Sequence, residues 1–289
     1  MYLLFDIGGT KMRLAVSSNG RDVGEQVKLE TPKNDFDEGV RLFLETAYEL
    51  AGGKKFKGVA GGIAGPLDQE RSSLINSPNI PGWVGRPLKR EIENALECPV
   101  VLENDAALAG LGEALVGAGK GEDIVAYITV STGVGGVRIT SGAIDRSRFG
   151  FEPGHQIVDL GTAIACPTCE LRGHLQGLVS GTAFLARYGK PPYEVEESES
   201  WEEAARTLAV GLNNVAVFWS PDVIVLGGSM MVGNEGPTIP LDMVEEHFNT
   251  LVQIFPQKPG LRLAELGDDG GLYGALAVLK KGRKRTSGG

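Results

Sequence analysis

Nothing in this chain is apolar for long enough to cross a membrane; no run reaches the roughly 18–20 residues a span needs. The start, Met-Tyr-Leu-Leu-Phe-Asp, has neither a basic leader nor a cleavage site, so no signal peptide is expected and the cytoplasm is the default location. Cysteine is scarce: three residues, an odd number, do not make a disulfide framework. Positive charge is short as well. A net charge of −9 argues against a nucleic-acid surface, which needs a basic patch to neutralise phosphates. The basic cluster from Lys280 to Arg285, followed by Thr-Ser-Gly-Gly, is expected to be a frayed, solvated tail. Two common nucleotide motifs are missing. Lys120 is followed by Gly121, so there is no Gly-x4-Gly-Lys-Ser/Thr loop, and there is no clean Gly-x-Gly-x-x-Gly.

What the chain has in excess is glycine, 42 of 289 residues, more than turns between simple helices require and consistent with several ligand loops. The first fifteen residues put that glycine to use. An apolar strand from Met1 runs into an acid, Asp6, and turns through Gly8, Gly9 and Thr10 into a second strand-like run from Lys11. The glycines let backbone approach a ligand and tolerate positive φ, and bare N–H groups in such a turn can cradle phosphate oxygens. Thr10 adds a hydroxyl, Lys11 a cation, and Asp6 an oxygen suited to hydrated magnesium. Gly-Gly alone would fit an ordinary hairpin; the full set favours a nucleotide loop.

Along the chain, strands and helices alternate. Gly24–Glu30 is expected as a third strand, and Asp35 opens a helix to Leu50 with Val40, Phe43, Leu44, Ala47 and Leu50 at helical spacing. Lys57–Ile63 is a buried strand entering Ala64-Gly65-Pro66, and a second Gly/Pro patch surrounds Asn79. A helix at 87–96 and a strand at 99–102 lead to Asn104-Asp105, which opens a helix to Leu115. After the Gly117–Gly121 stretch, a candidate boundary, the strand Ile124–Val130 turns through Ser131-Thr132-Gly133-Val134-Gly135-Gly136 into Val137–Thr140. The opening motif thus recurs in outline and suggests a duplicated α/β fold in which each lobe offers a phosphate loop. The assignment is an N-terminal lobe over 1–116, completed by a C-terminal helix at 271–289, and a C-terminal lobe over 117–270 with an irregular insert near 150–181. Glu194–Glu199 is expected as a solvated loop, Trp201–Phe218 as a helix, and Asp222–Leu226 as a strand into Gly227-Gly228. A helix after Pro240, a strand at 261–264 and a last helix at 272–280 complete the order.

Two constellations carry chemistry. Asp105 heads a helix after a buried strand: capping by Asn104 or Asp105 is the plain account, and a general base that accepts a hydroxyl proton is the sharper one. Two phosphate loops in one chain favour the base. In the insert, Cys166-Pro-Thr-Cys169 with His155 and His174 supplies four ligands of the kind tetrahedral zinc takes; redox use of the cysteine pair is the competing reading. Cys98 is expected to be simply buried.

Together these stretches resemble the ROK sugar kinases (repressor, open reading frame, kinase) of the actin/hexokinase-like ATPase superfamily, over Leu3 to Leu279. Asp6–Lys11 resembles the first phosphate motif, Ser131–Gly136 the second, and Asn104-Asp105-Ala106 the sugar-binding Asn and catalytic Asp. Gly65-Pro66 and Asn79 resemble sugar-side loops, and Leu226-Gly227-Gly228 the adenosine end. The resemblance implies a two-lobed α/β, ribonuclease H-like fold with an interlobe cleft, and transfer of the ATP γ-phosphate to a hexose, glucose O6 first. N-acetylmannosamine, N-acetylglucosamine, fructose and allose are the alternative substrates, and a sugar-sensing repressor or inactive sugar binder is the alternative of another class. The repressors carry a helix-turn-helix ahead of the first motif, which here starts at residue 3. Asp105 would be the base; Gly65, Asn79, Asn104, Glu152, His155 and Gln176 would meet the sugar. Asp6, Gly8, Gly9, Thr10, Lys11, Thr132, Gly133, Gly227 and Gly228 would meet ATP and Mg2+, and His155, Cys166, Cys169 and His174 would hold structural Zn2+. A homodimer is implied by resemblance alone. One segment departs from the family pattern: His174 stands where the third Cys belongs, Gln176 where a sugar-binding Glu belongs, and Cys166 and Cys169 are one residue further apart than usual.

Overall fold

The computed structural model describes residues 1–166, 168–233 and 236–286. The chain forms two compact units: Met1–Gly112 with Arg146–Gly150 and the segment from Asp268 onward, and Glu113–Asp145 with Phe151–Gly267.

The first unit is built on β1 (Tyr2–Ile7), β2 (Lys11–Ser17), β3 (Gln26–Glu30), β4 (Val59–Ile63) and β5 (Val100–Asn104), in the spatial order β3-β2-β1-β4-β5. The first three are antiparallel, and β1, β4 and β5 run parallel. β4 is buried at every position, as a central parallel strand covered on both faces should be, whereas the edge strand β3 alternates exposed and half-buried residues. Helices α1 (Phe36–Ala51), α2 (Leu88–Leu96), α3 (Asp105–Val116, its first eight residues in this unit) and α8 (Gly270–Thr286) flank the sheet. Asp35 caps α1 by accepting from the Glu38 N–H at 3.0 Å, and Gly52 ends it in the left-handed region. Phe5, Phe43, Met12, Ile63, Ile80 and Trp83 belong to the fully buried core.

The second unit repeats the plan. β6 (Ile124–Val130), β7 (Val134–Thr140), β8 (Ala143–Ile144), β9 (Val223–Gly227) and β10 (Gly260–Leu263) lie in the order β10-β9-β6-β7-β8, again an antiparallel trio joined to a parallel one. α4 (Leu175–Val179), α5 (Gly181–Tyr188), α6 (Ser198–Trp219) and α7 (Leu241–Leu251) complete it around Phe184, Trp201, Leu212, Leu226 and Phe248. The duplication read from two glycine turns is therefore a duplication of strand order.

Several expectations need correction. α6 starts at Ser198, inside the run expected to be loop, because its first turn is polar and carries no apolar periodicity. The insert contains α4, which is too short to show a period. β7 starts at Val134, so Gly135 and Gly136 lie in the strand. The basic cluster is helical, as α8 runs on to Thr286; the remainder of the expected tail, residues 287–289, lies outside the described residues. Among the described residues no helix is long and apolar enough to cross a membrane.

Candidate functional site

In the first unit the parallel strands end level with one another. Ile7 is in register with Ile63, and Ile63 with Asn104, so the loops after β1, β4 and β5 leave from one edge of the sheet, where α/β proteins place ligands. Asp6 is the penultimate residue of β1. Gly8 donates its N–H to the Lys11 carbonyl at 2.9 Å and closes the turn; Thr31 fastens that turn by donating Oγ1 to the Gly8 carbonyl at 2.9 Å. The N–H groups of Gly9 and Thr10 meet no acceptor among the described residues, which leaves two adjacent donors for an anion. Neither Gly8 nor Gly9 has positive φ. Gly9 is required for space instead: a Cβ there would lie 2.7 Å from Cβ of Asn79, so the first glycine turn and the Asn79 loop touch.

The ambiguity between Asn104 and Asp105 resolves into two roles. Asn104 is the cap of α3, accepting from the Ala107 N–H at 3.0 Å, while its Nδ2 donates to the Gly65 carbonyl at 3.1 Å. Asp105 accepts from its neighbour Ala106 at 2.8 Å through one oxygen, and among the described residues no donor reaches the other. Its backbone lies so close to β4 that a Cβ on Gly62 would fall 2.8 Å from the Asp105 Cα. Burial raises the Asp105 pKa above the ordinary carboxylate range.

Asp6 is pushed up to about 7, first by burial and then by the charge of Asp105; Asp268 adds to the rise and Arg13 opposes it. Arg13 stands opposite Asp6 in the β1–β2 ladder, 3.6 Å from its carboxylate, and also pairs with Asp268 at 2.8 Å. The Asp6 carboxyl lies about 3.5 Å from where a Cβ on Gly271 would be, at the start of α8. A carboxylate held among other acids has the chemistry that binds a cation. The folded protein holds the Asp6 proton more tightly than the unfolded chain, whose Asp titrates near 3.8. Stability from this group is thus full below that value and is lost as pH climbs through about 7. Thermal melts without divalent metal should fall more steeply between pH 5 and 8 for the parent than for Asp6→Asn; parallel curves would contradict this.

In the second unit, Ser131-Thr132-Gly133 follows β6 and Gly228-Ser229 follows β9, at the same edge of that sheet. The two loops meet through Ser131 Oγ and Ser229 Oγ at 3.1 Å. The carbonyls of Ser131 and Thr132 are held from behind: Gly181 N–H donates to the first at 2.8 Å, and Thr182 Oγ1 donates to the second at 2.7 Å. The N–H groups of Thr132 and Gly133 again meet no acceptor among the described residues. Gly228 adopts φ +87, the left-handed region, and a Cβ there would lie 2.3 Å from the Val130 carbonyl.

Glu152 is exposed and begins the turn Pro153–His155, which packs with Gly154 against the Val134 backbone. Gln176 is buried, with both ends of its amide engaged by protein: Oε1 accepts from the Val134 N–H at 2.9 Å, and Nε2 donates to Thr168 Oγ1 at 3.0 Å and, more weakly, to Cys166 Sγ at 3.8 Å.

His155, Cys166, Cys169 and His174 come together, with all four ligand atoms within 4.8 Å of one another. His155 Nδ1 lies 3.3 Å from His174 Nδ1, and Cys169 Sγ lies 3.6 and 3.2 Å from those nitrogens. A tetrahedron with Zn–N near 2.05 Å and Zn–S near 2.3 Å has edges of roughly 3.3–3.8 Å, so the donor set fits. Burial, with His174 adding to it, lowers the His155 pKa, a shift toward the neutral ring that ligates metal. None of the three cysteines is in a disulfide.

The sequence reading missed Arg13, Asp268, Thr168 and Ser229. An arginine among the apolar residues of β2, facing Asp6 across the β1–β2 ladder, was the available sign for the first; Asp268 and Ser229 depend on contacts between residues distant in sequence, and Thr168 on the local fold of the insert.

A family model described as the ROK family matches residues 2–282. The fold superposes on a ROK hexokinase from Thermus thermophilus with TM-score 0.84 and 31% identity, covering 98% of this chain and 99% of that one. A ROK family glucokinase from Streptomyces griseus, solved in complex with glucose and AMPPNP, gives TM-score 0.79 and 28% identity over 97% of this chain and 99% of that one. Among curated relatives, an N-acetyl-D-glucosamine kinase from Escherichia coli is 29% identical over 95% of this chain and 98% of its own length.

Proposed function

Since the chain belongs to the ROK family, we propose that it is an ATP-dependent sugar kinase that transfers the γ-phosphate to a hexose hydroxyl, with glucose O6 as the preferred acceptor. The observation that carries this reading is the pairing, in one unit, of a carboxylate with an uncommitted oxygen, Asp105, and a turn with two uncommitted amides, Gly9 and Thr10. Asp105 accepts the hydroxyl proton as the oxygen forms its bond to phosphorus; the γ-phosphate leaves ADP, and the proton remains on the carboxyl until solvent takes it. Burial raises the Asp105 pKa, which makes its carboxylate a stronger proton acceptor than an exposed one. The amides of Gly9 and Thr10, and of Thr132 and Gly133, are phosphate donors fixed before charge moves. Asp6 would hold Mg2+, which would supply positive charge to neutralise the transferring phosphates. Asn79, Asn104, Glu152 and His155 orient the sugar, and Gly227-Gly228 lies at the adenosine end.

The relatives support glucose through the Streptomyces griseus complex and N-acetylglucosamine through the Escherichia coli kinase. A sugar panel assayed by ADP release, with and without magnesium, tests the choice. The expected result is the highest kcat/KM with glucose and no turnover without magnesium. A higher value with N-acetylglucosamine would reassign the substrate.

A further inference from the structure

Gln176 stands between two features of the second unit that are separate in sequence. On one side its Oε1 takes the Val134 N–H and lies 2.7 Å from where a Cβ on Gly133 would be, directly beneath the second glycine turn. On the other its Nε2 reaches Thr168 Oγ1, itself 3.2 Å from Cys166 Sγ, and weakly reaches that sulfur. A carboxylate here would still accept from Val134 but would offer the sulfur no N–H and would set a negative charge beside a thiolate. We propose that Gln176 is a positioning residue that fastens the turn Ser131–Val134 to the Cys–His cluster, so that metal occupancy and nucleotide affinity in this unit are thermodynamically coupled. The proposal rests on the reading of that turn as a phosphate loop. A side chain that fixes a metal ligand on one side and a phosphate-binding backbone on the other makes each ligand's binding reduce the disorder the other must overcome. The coupling is reciprocal.

The test titrates Mg·AMPPNP calorimetrically into zinc-loaded and chelator-treated protein, and titrates zinc against a competing chelator with and without saturating Mg·AMPPNP. The parent, Gln176→Met and Gln176→Glu are compared, each checked for a cooperative melt. In the parent, zinc should tighten Mg·AMPPNP by about 5-fold or more, within the usual range of site-to-site coupling, and the nucleotide should tighten zinc by the same factor. Gln176→Met, which removes both contacts at similar length, should bring that factor to within about twofold of one while each ligand still binds alone. Gln176→Glu keeps the Val134 bond and should weaken zinc by about 10-fold, as loss of a partner to a metal ligand does, with nucleotide affinity of the metal-free protein unchanged. Should the Met variant fail to fold, the Glu variant and the parent's own factor decide. Equal factors in parent and variant, zinc affinity unaltered by Gln176→Glu, or no coupling in the parent would overturn the proposal while leaving the kinase reading in place. Absence of any Mg·AMPPNP binding to zinc-loaded parent protein would remove the phosphate-loop reading and the proposal with it.

Discussion

Replacing Asp105 with Asn lowers kcat by about 10²–10⁴, the contribution typical of a positioned general base, and leaves the fold and sugar affinity near those of the parent. The geometry makes this a clean substitution. The cap of α3 is Asn104, through its bond from Ala107, so loss of the Asp105 charge does not remove a cap. An Asn side-chain oxygen can also keep the bond from Ala106. Asp105→Asn further removes a like charge from Asp6, so the Asp6 pKa should drop from about 7, and the metal-free melting temperature should not fall. The measurement is kcat and KM for glucose together with a sugar binding titration. Turnover within a few-fold of the parent, roughly below the smallest effect expected of a general base, would reduce Asp105 to a structural residue.

The second large effect concerns the metal cluster. Purified protein should carry about one zinc per chain, the stoichiometry of a single four-ligand site. Cys169→Ala and His174→Ala should each bring the zinc content close to none, whereas Cys98→Ser, outside the cluster, should leave it unaltered. If zinc stands at a thousandfold over its Kd, it stabilises the folded state by about 4 kcal/mol. At about 2–4 °C per kcal/mol for domains of this size, chelation should lower the melting temperature by roughly 8–16 °C. The loss should fall on the second unit, because Cys166 is buried and lies 2.9 Å from where a Cβ on Gly177 would be, in α4. Absence of zinc, with a melt indifferent to chelator, would favour a redox or purely structural role for the cysteine pair.

Much of this was legible because it is written locally. Asp6-Ile7-Gly8-Gly9-Thr10 shows a strand end, a turn and donor groups within five residues, and its echo at Ser131–Gly133 announced a repeat that the matching strand orders confirm. Asp35 marked its helix through a capping chemistry that depends only on the next three residues. What remained hidden depends on distance along the chain. No local pattern could tell that Asn104, and not Asp105, holds the α3 cap, since the choice depends on Nδ2 also finding the Gly65 carbonyl 39 residues earlier. The glycine at position 9 reads as conformational freedom, and the structure shows it as clearance for Asn79. Gln176 reads as a changed ligand contact; its burial and its bond to Val134, 42 residues away, belong to tertiary packing. The polar first turn of α6 was lost because apolar periodicity reports only the buried side of a helix.

The most direct test of phosphoryl transfer is phosphorus NMR of a reaction containing this protein, Mg·ATP and glucose. The account predicts loss of the ATP γ-resonance in step with growth of ADP and of a phosphomonoester coupled to the C6 protons, and both changes slowed about 10²–10⁴-fold with Asp105→Asn. Sugar binding with an unchanged ATP spectrum across every hexose offered would contradict it.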